Sequence, residues 1–487
     1  MRYKFIIVII INIFFSTGLN AQFKKFIAYE FEHKFNKLLS NSITDILIVN
    51  DEVWFGTGKG LSVTKDNGKS FITFYSKQGI GKGSVSALAV DNGIIWVATG
   101  FDTTTSQGVL PAGSGLSYST DDGLTWNKIP QPVDLEDENP GYKPTTTNVT
   151  NLTYDIAFDD SSVWIVSYGG GLRKSTDYGE SWKVVTPDNN SFDPLTYLNH
   201  RAFSVVSAEN GLWVGTAGGI NKSTDGGITW INYNAQNGSG ISGNFIVALA
   251  EQKLNDKSII WAASWKAAGE EEFYAVSKTE NGGLTWETAL HGEQVHNFFF
   301  NGKDVYVLSD NGLWKSSDFG KTWGLFPQII DEITGEKVYT QKYYSGGFGN
   351  GILWIGTDDG LAQSFDYGYS WKIFRAFEEP EIKNKFYTYA YPNPFSPLRH
   401  NRINNEGHIR IQYNTINDTE VSIYIYDFSM KPVRTVVENK FRAGGFSYSE
   451  VWNGKDDYGR KVANGVYFYK LVKKGEKPLY GKIVIID

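Results

Sequence analysis

From residue 45 to residue 374 the chain alternates short apolar runs with polar, glycine-rich turns, and the alternation follows one phrase. An apolar run comes first, such as "DILIV" (45–49), "SALAV" (86–90) or "FIVAL" (245–249). An aromatic-bearing run follows: "VWFGTGKGL" (53–61), "IWVATG" (95–100), "VWIVSYGGGL" (163–172), "LWVGTAGGI" (212–220), "IWAAS" (260–264), "VYVLSDNGL" (305–313) and "LWIGTDDGL" (353–361). An octapeptide ends the phrase: "TKDNGKSF" (64–71), "STDDGLTW" (119–126), "STDYGESW" (175–182), "STDGGITW" (223–230), "TENGGLTW" (279–286), "SSDFGKTW" (316–323) and "SFDYGYSW" (364–371). Runs this short, alternating and rich in β-branched and aromatic residues predict strands, not helices. Each phrase predicts four strands, A to D, with the octapeptide as the C-to-D turn. Seven such phrases predict an all-β fold whose main part is a seven-bladed β-propeller.

The octapeptide has a structural reading that needs no chemistry. Its third residue (Asp66, Asp121, Asp177, Asp225, Asn281, Asp318, Asp366) is placed to accept backbone N–H groups inside the turn. The glycine two positions later supplies a positive φ that a side chain would penalise. Asn281 offers the same acceptor. The tryptophans follow the same scaffold. Of 15, six end octapeptides and six share one strand-B slot, which leaves Trp265, Trp314 and Trp452 outside the repeat.

These seven octapeptides resemble the Asp-box, or BNR repeat, of sialidases, sortilin-type receptors, certain xyloglucanases and photosystem assembly factors. The resemblance covers about residues 40–376 and implies the propeller fold; its members share the turn and not the chemistry.

Spacing between the phrases points to a binding face. The long connections are D-to-A (129–152, 186–201, 233–244, 327–342) and B-to-C (100–115, 264–273), which leave an antiparallel blade at the same end. Elaborated loops on a rigid scaffold carry binding. Trp265, Tyr142, Tyr197 and Phe101 are the expected aromatic contacts there, set against the plain alternative that each pins its own loop.

Composition narrows the function classes. A net charge of −7 without a basic cluster argues against nucleic acid. The acidic run "DLEDEN" (134–139) reads as a solvated loop. Arg2 and Lys4 precede the apolar run "FIIVIIINIFF" (5–15), the order of a signal peptide, with cleavage expected after Ala21. That run is too short to span a bilayer, and no membrane span is expected in the mature chain. The chain has no cysteine, so no disulfide and no lipoprotein anchor.

After a charged linker (377–390) the phrases stop, and residues 391–487 alternate differently: "HIRIQYN" (408–414), "EVSIYIYD" (420–427), "PVRTVVE" (432–438), "FSYSEVWNG" (446–454), "GVYFYKLVK" (465–473) and "KIVIID" (482–487). This predicts a small immunoglobulin-like β-sandwich. Its opening "YPNPF", its "NGVYFYKL" strand and its lysine-led last strand resemble the immunoglobulin-like domain of flagellar hook-capping proteins, a type also used as a C-terminal type IX secretion sorting domain. The resemblance implies export by Sec, then recognition by the type IX machinery, and a secreted or surface-attached protein of a Gram-negative bacterium. The ending on Asp487 departs from the basic end of many relatives.

No catalytic residue, metal or cofactor is expected. A sialidase needs three converging arginines, and 22–376 holds only Arg173, Arg201 and Arg375, of which Arg201 alone is placed to reach a central pocket. His291 and His296 ("HGEQVH") lack the further ligands of a zinc site. The reading is a propeller (22–376) that binds a glycan or a protein. Two alternatives stay open: an extracellular glycoside hydrolase of Asp-box type, and an accessory or assembly component of the cell envelope or secretion machinery. A convergent carboxylate pair at one mouth would favour the hydrolase.

Overall fold

The computed structural model describes residues 38–134, 146–255, 257–267, 272–376, 381–382, 385–386, 388–403 and 406–487. The expected signal peptide (1–21), Tyr142 and part of the linker lie outside the described residues. The described chain is all-β: three short 3-10 turns (76–78, 198–200, 235–237) are its only helical segments.

Residues 43–374 form seven four-stranded antiparallel sheets, each from four consecutive strands. Sheet 1 is Ile43–Val49, Glu52–Thr57, Gly60–Thr64 and Ile72–Phe74. The A strands of sheets 2 to 7 begin at Ser84, Thr153, Ala202, Phe245, Val295 and Tyr343. Each A strand touches the A strands before and after it, and the last touches the first. The sheets therefore close into a ring, a β-propeller. The expected B-to-C loop at 100–115 is a correction: strands B and C of sheet 2 run on to Ile94–Thr105 and Gly108–Ser119 and pair almost to the tip. Its threonines and valine favour extended pairing over a loop.

Each octapeptide makes the C-to-D turn through one repeated set of bonds. In "STDYGESW" the Ser175 hydroxyl donates to Asp177 Oδ1 at 2.7 Å and accepts the Gly179 N–H at 2.7 Å. Asp177 Oδ1 also accepts the Ser181 N–H at 2.9 Å, and Oδ2 accepts the Ser181 hydroxyl at 2.5 Å. These bonds, led by the Ser181 hydroxyl, hold the Asp177 carboxyl down at about 2. In the Asn281 copy the side-chain amide donates to Thr285 Oγ1 instead, at 2.8 Å, and the turn is kept. Both the fourth and fifth residues have positive φ, 58° at Tyr178 and 91° at Gly179.

The sheets pack through aromatics. The strand-B tryptophans Trp54, Trp96, Trp164, Trp213, Trp261 and Trp354 are fully buried. Each lies against the next sheet's octapeptide. Trp54 meets Trp126 edge-on at 6.3 Å, Trp213 meets Trp286 at 5.9 Å and Trp261 meets Trp323 at 6.1 Å. A Cβ on Gly227 would stand 2.6 Å from the Trp164 ring, so this glycine is required by its neighbour as well as by φ. The same contact closes the ring, where Gly68 of sheet 1 packs on Trp354 of sheet 7.

Beyond the ring, Tyr389–Tyr391, Ile409–Thr415 and Phe446–Trp452 form one sheet, and Thr419–Tyr426, Pro432–Arg442, Gly465–Lys473 and Leu479–Ile485 form another. The two sheets share a core that includes Ile411, Val421, Ile423, Tyr448, Tyr469 and Ile483. All six strands read from the sequence pattern are present. The pair docks on the 326–342 connection and the Thr357–Gly360 turn through buried charge. Arg375 NH1 lies 2.7 Å from Glu336 Oε2, and its NH2 lies 3.1 Å from Asp359 Oδ2. Arg410, from the C-terminal sheets, pairs with Asp359 Oδ1, and the Ser449 N–H donates to Glu336 Oε1 at 2.8 Å. Burial alone would raise the Asp359 carboxyl, but Arg375 and Arg410 outweigh it and hold the group below its ordinary range.

Truncating a strand-B tryptophan should open a cavity between two sheets. Trp213→Ala is expected to cost about 3–5 kcal/mol in chemical denaturation. An unchanged midpoint would show that the sheets are not held by this contact.

Candidate functional site

The D-to-A connections and B-to-C turns gather at one end of the ring, and there the central channel opens into a cavity of about 520 Å³. A repeated irregularity builds its wall. In every sheet the A–B pairing skips one residue of strand A, a β-bulge at the same position each time: Thr44, Ser86, Tyr154, Phe203, Val247, His296 and Tyr344. A bulge re-aims its side chain, and all seven line the cavity.

Four of the bulge positions, with Phe245 and Trp265, make a continuous aromatic arc. Tyr154 lies 5.8 Å from Phe203, and Phe203 lies 4.5 Å from Phe245. Phe245 stacks on Trp265 at 6.3 Å, Trp265 meets His296 edge-on at 5.5 Å, and His296 lies 4.9 Å from Tyr344. Burial lowers the His296 pKa despite its 2.7 Å bond to Asp310, which Lys342 also pairs at 2.8 Å. Burial, then the nearby Asp358 carboxylate, push the Tyr344 phenol well up.

One residue beyond the bulge stand two carboxylates, Asp45 and Asp155. Asp45 Oδ1 accepts the Ile46 N–H at 2.8 Å, and Oδ2 accepts the Leu88 N–H of the next sheet at 2.8 Å. Asp155 does the same with Ile156 at 2.8 Å and with Val205 of the next sheet at 3.0 Å. Both are half-buried at the channel surface, and protein encloses them. That enclosure outweighs the amide bonds and pushes Asp45 up to about 6 and Asp155 up to about 7, where the charge of Asp45 adds a little. The equivalent position in sheet 6 is Asn297, whose Oδ1 accepts the Phe298 N–H at 2.8 Å.

The expected binding residues divide. Trp265 is in the cavity wall, but as the last residue of strand B and half-buried, its Nε1 donating to Val295 O of the next sheet at 2.7 Å. It is therefore partly structural, and not on an exposed loop. Phe101 sits on the extended hairpin with Lys82 Nζ 3.5 Å above its ring, and Tyr197 packs on His200 at 4.9 Å; neither lines the cavity. Tyr154, Phe203, Phe245 and Tyr344 were missed. Their signal was the residue at the head of each A strand, visible only when the A strands are aligned with one another. The "HGEQVH" pair also separates: His291 packs on Phe273 at 5.0 Å, while His296 faces the channel.

The three propeller arginines do not converge. Arg173 pairs with Asp134 at 2.6 Å, Arg201 donates to Pro194 O at 2.5 Å, and Arg375 belongs to the docking network. Among the described residues no three His, Asp or Glu side chains gather as metal ligands, and no helix is long and apolar enough to cross a membrane.

No family model matches the chain, and no curated protein matches it. Among solved structures it is similar to a GH74 enzyme of Niastella koreensis, at 14% identity over 90% of this chain and 73% of that one, with a TM-score of 0.51. An ancestral GH74 enzyme matches at 14% identity over 91% of this chain and 62% of its own, with a TM-score of 0.50. PorZ, a surface component of the type-IX secretion system of Porphyromonas gingivalis, matches at 14% identity over 91% and 69%, with a TM-score of 0.38. At such identities the likeness to the two GH74 enzymes bears on the fold alone and leaves chemistry to the site itself.

The two raised carboxyls set a pH dependence. Their folded pKa values exceed the unfolded value, so their stabilising contribution is complete below about pH 4 and is lost as pH rises through about 6 to 7. The Asp45→Asn/Asp155→Asn double variant should lose less thermal stability than the parent between about pH 5 and about pH 8. Identical slopes would mean that these carboxyls titrate normally.

Proposed function

We propose that this chain is a seven-bladed propeller of the Asp-box kind that binds a glycan or a protein at the loop-rich mouth of its central channel, without catalysis. The observation that carries this reading is the aromatic arc from Tyr154 to Tyr344, half-buried around one cavity and contributed by five of the seven sheets. Flat rings with exposed faces suit either the C–H faces of a sugar or the side chains of a polypeptide. The arc, and not the octapeptide turns, is the recognising surface. Screening the chain on glycan and peptide arrays should yield a ligand whose affinity falls about tenfold or more in Phe203→Ala, by loss of a stacking face worth about 1–3 kcal/mol. It should be unaffected in Ile228→Ala, on an exposed octapeptide turn. The reverse result would move the site to the other end of the ring.

One observation favours a second reading, that of a glycoside hydrolase: Asp45 and Asp155 share a cavity and have carboxyls shifted toward neutrality, as acid–base pairs require. Against it, both oxygens of each carboxylate already accept a backbone N–H, one from the following residue and one that clips its sheet to the next. Hydrolysis of any array ligand, abolished by Asp155→Asn, would establish the enzyme.

For the C-terminal residues 391–487 we propose an immunoglobulin-like sorting domain that directs a Sec-exported chain through type IX secretion to the surface or medium. The resemblance of "YPNPF", "NGVYFYKL" and the last strand supports it, as does their place in one two-sheet core. Deleting residues 388–487 in the native host should trap the propeller in the periplasm. Normal amounts of truncated protein at the surface or in the medium would leave these sheets a docking or spacer role only.

A further inference from the structure

Taking the channel mouth as the binding site, we propose that its ligand inserts a slender basic group, of the lysine or arginine side-chain kind, past the aromatic arc to Asp45 and Asp155. The geometry is that of a stem and a head. Phe245 and Trp265 stand where strands enter and leave at the mouth, Phe203 and His296 lie at the level of the bulges, and the two carboxylates lie one residue farther along the A strands. An alkyl stem meets ring faces on the way in, and a cationic head meets first the negative faces of those rings and then two carboxylates.

Charge complementarity makes the same point. Among the described residues lining the cavity there are two carboxylates and no lysine or arginine. The other titratable groups on the wall are Tyr154, His296 and Tyr344, and burial disfavours the charged form of His296. Behind it, Lys342 is committed to Asp310, and Asp358 accepts the Ser42 hydroxyl at 3.0 Å. Among the described residues no cation on the wall therefore balances Asp45 and Asp155, and burial holds them toward the protonated form. A guest cation would supply the missing charge. A neutral sugar gives no reason for uncompensated carboxylates.

The test uses the full chain and two capped tripeptides, acetyl-Gly-Lys-Gly-amide and its neutral isostere with norleucine, followed by ligand-observed NMR. The lysine peptide should bind saturably and the norleucine peptide should not. Its affinity should tighten about tenfold from about pH 5.5 to about pH 8, because the carboxyls must ionise to receive it. Asp45→Asn and Asp155→Asn should weaken binding and flatten the pH response. Asn297 at the equivalent position shows that asparagine fits this slot. Equal binding of the two peptides, or of neither, overturns the proposal, and because that comparison uses the unaltered chain it does not depend on the variants folding. Failure can be assigned. If a neutral ligand binds and loses affinity in Phe203→Ala while the lysine peptide does not bind, the channel-mouth site stands and the basic guest is wrong. If Phe203→Ala alters no ligand's binding, the site itself is wrong.

Discussion

Everything in this ring depends on the burial of one large aromatic side chain between each sheet and the next. A four-stranded sheet of this size has two apolar faces and cannot bury either alone. Strand B solves this by presenting Trp54, Trp96, Trp164, Trp213, Trp261 or Trp354 to the octapeptide that follows, and sheet 6 places the fully buried Tyr306 in the same slot. The octapeptide is thereby bound by two demands. Its Asp and hydroxyl bonds shape the turn, and its glycine leaves room for the neighbour's indole. The distance between sheets, the width of the channel and the convergence of the bulge residues all follow from that contact.

Local features were legible in the sequence because their causes are local. Strand alternation, turn glycines and the hydroxyl–carboxylate pairing of the octapeptide are each contained within about a dozen residues, and each was found where the pattern put it. The hairpin tip of sheet 2 was misread because "GFDTTTSQGVLPAGSG" is dense in turn residues, although its threonines and valine also suit paired strands. Reading stopped at features that exist only across the ring. The bulge slot holds Thr44, Ser86 and Val247 as readily as Phe203 or Tyr344, so no single phrase announces it. Trp265 stood out only because it broke the tryptophan pattern, and the structure gives it a structural bond as well as a place in the wall.

The docking of the C-terminal sheets was equally hidden. Arg375 follows directly on the closing strand of sheet 7, Lys372–Phe374. Its partners, Glu336, Asp359 and, through Asp359, Arg410, are scattered along the chain and meet only when the ring is complete. A buried network of this kind contributes little net stability compared with an apolar contact, yet losing one member leaves the others charged and unpaired. It fixes orientation more than it adds strength, and it holds the C-terminal sheets beside the end of the ring where the cavity opens.

The seam between the first and last sheets has a consequence for how the chain assembles. Among the described residues no strand is shared across it: sheet 1 and sheet 7 are each built from consecutive strands, and they meet through side chains and a few bonds, such as Gly360 N–H to Asn41 O at 2.8 Å and Ser42 Oγ to Asp358 at 3.0 Å. The last of these joins residues 316 positions apart. For a free coil, closing a loop that long is an entropic burden that rises with the logarithm of its length. Here the intervening sheets stack one on another first, each adding a fixed increment of rotation. By the time the seventh is in place, its partner face is already adjacent, and the contacts across the seam are made with almost no search.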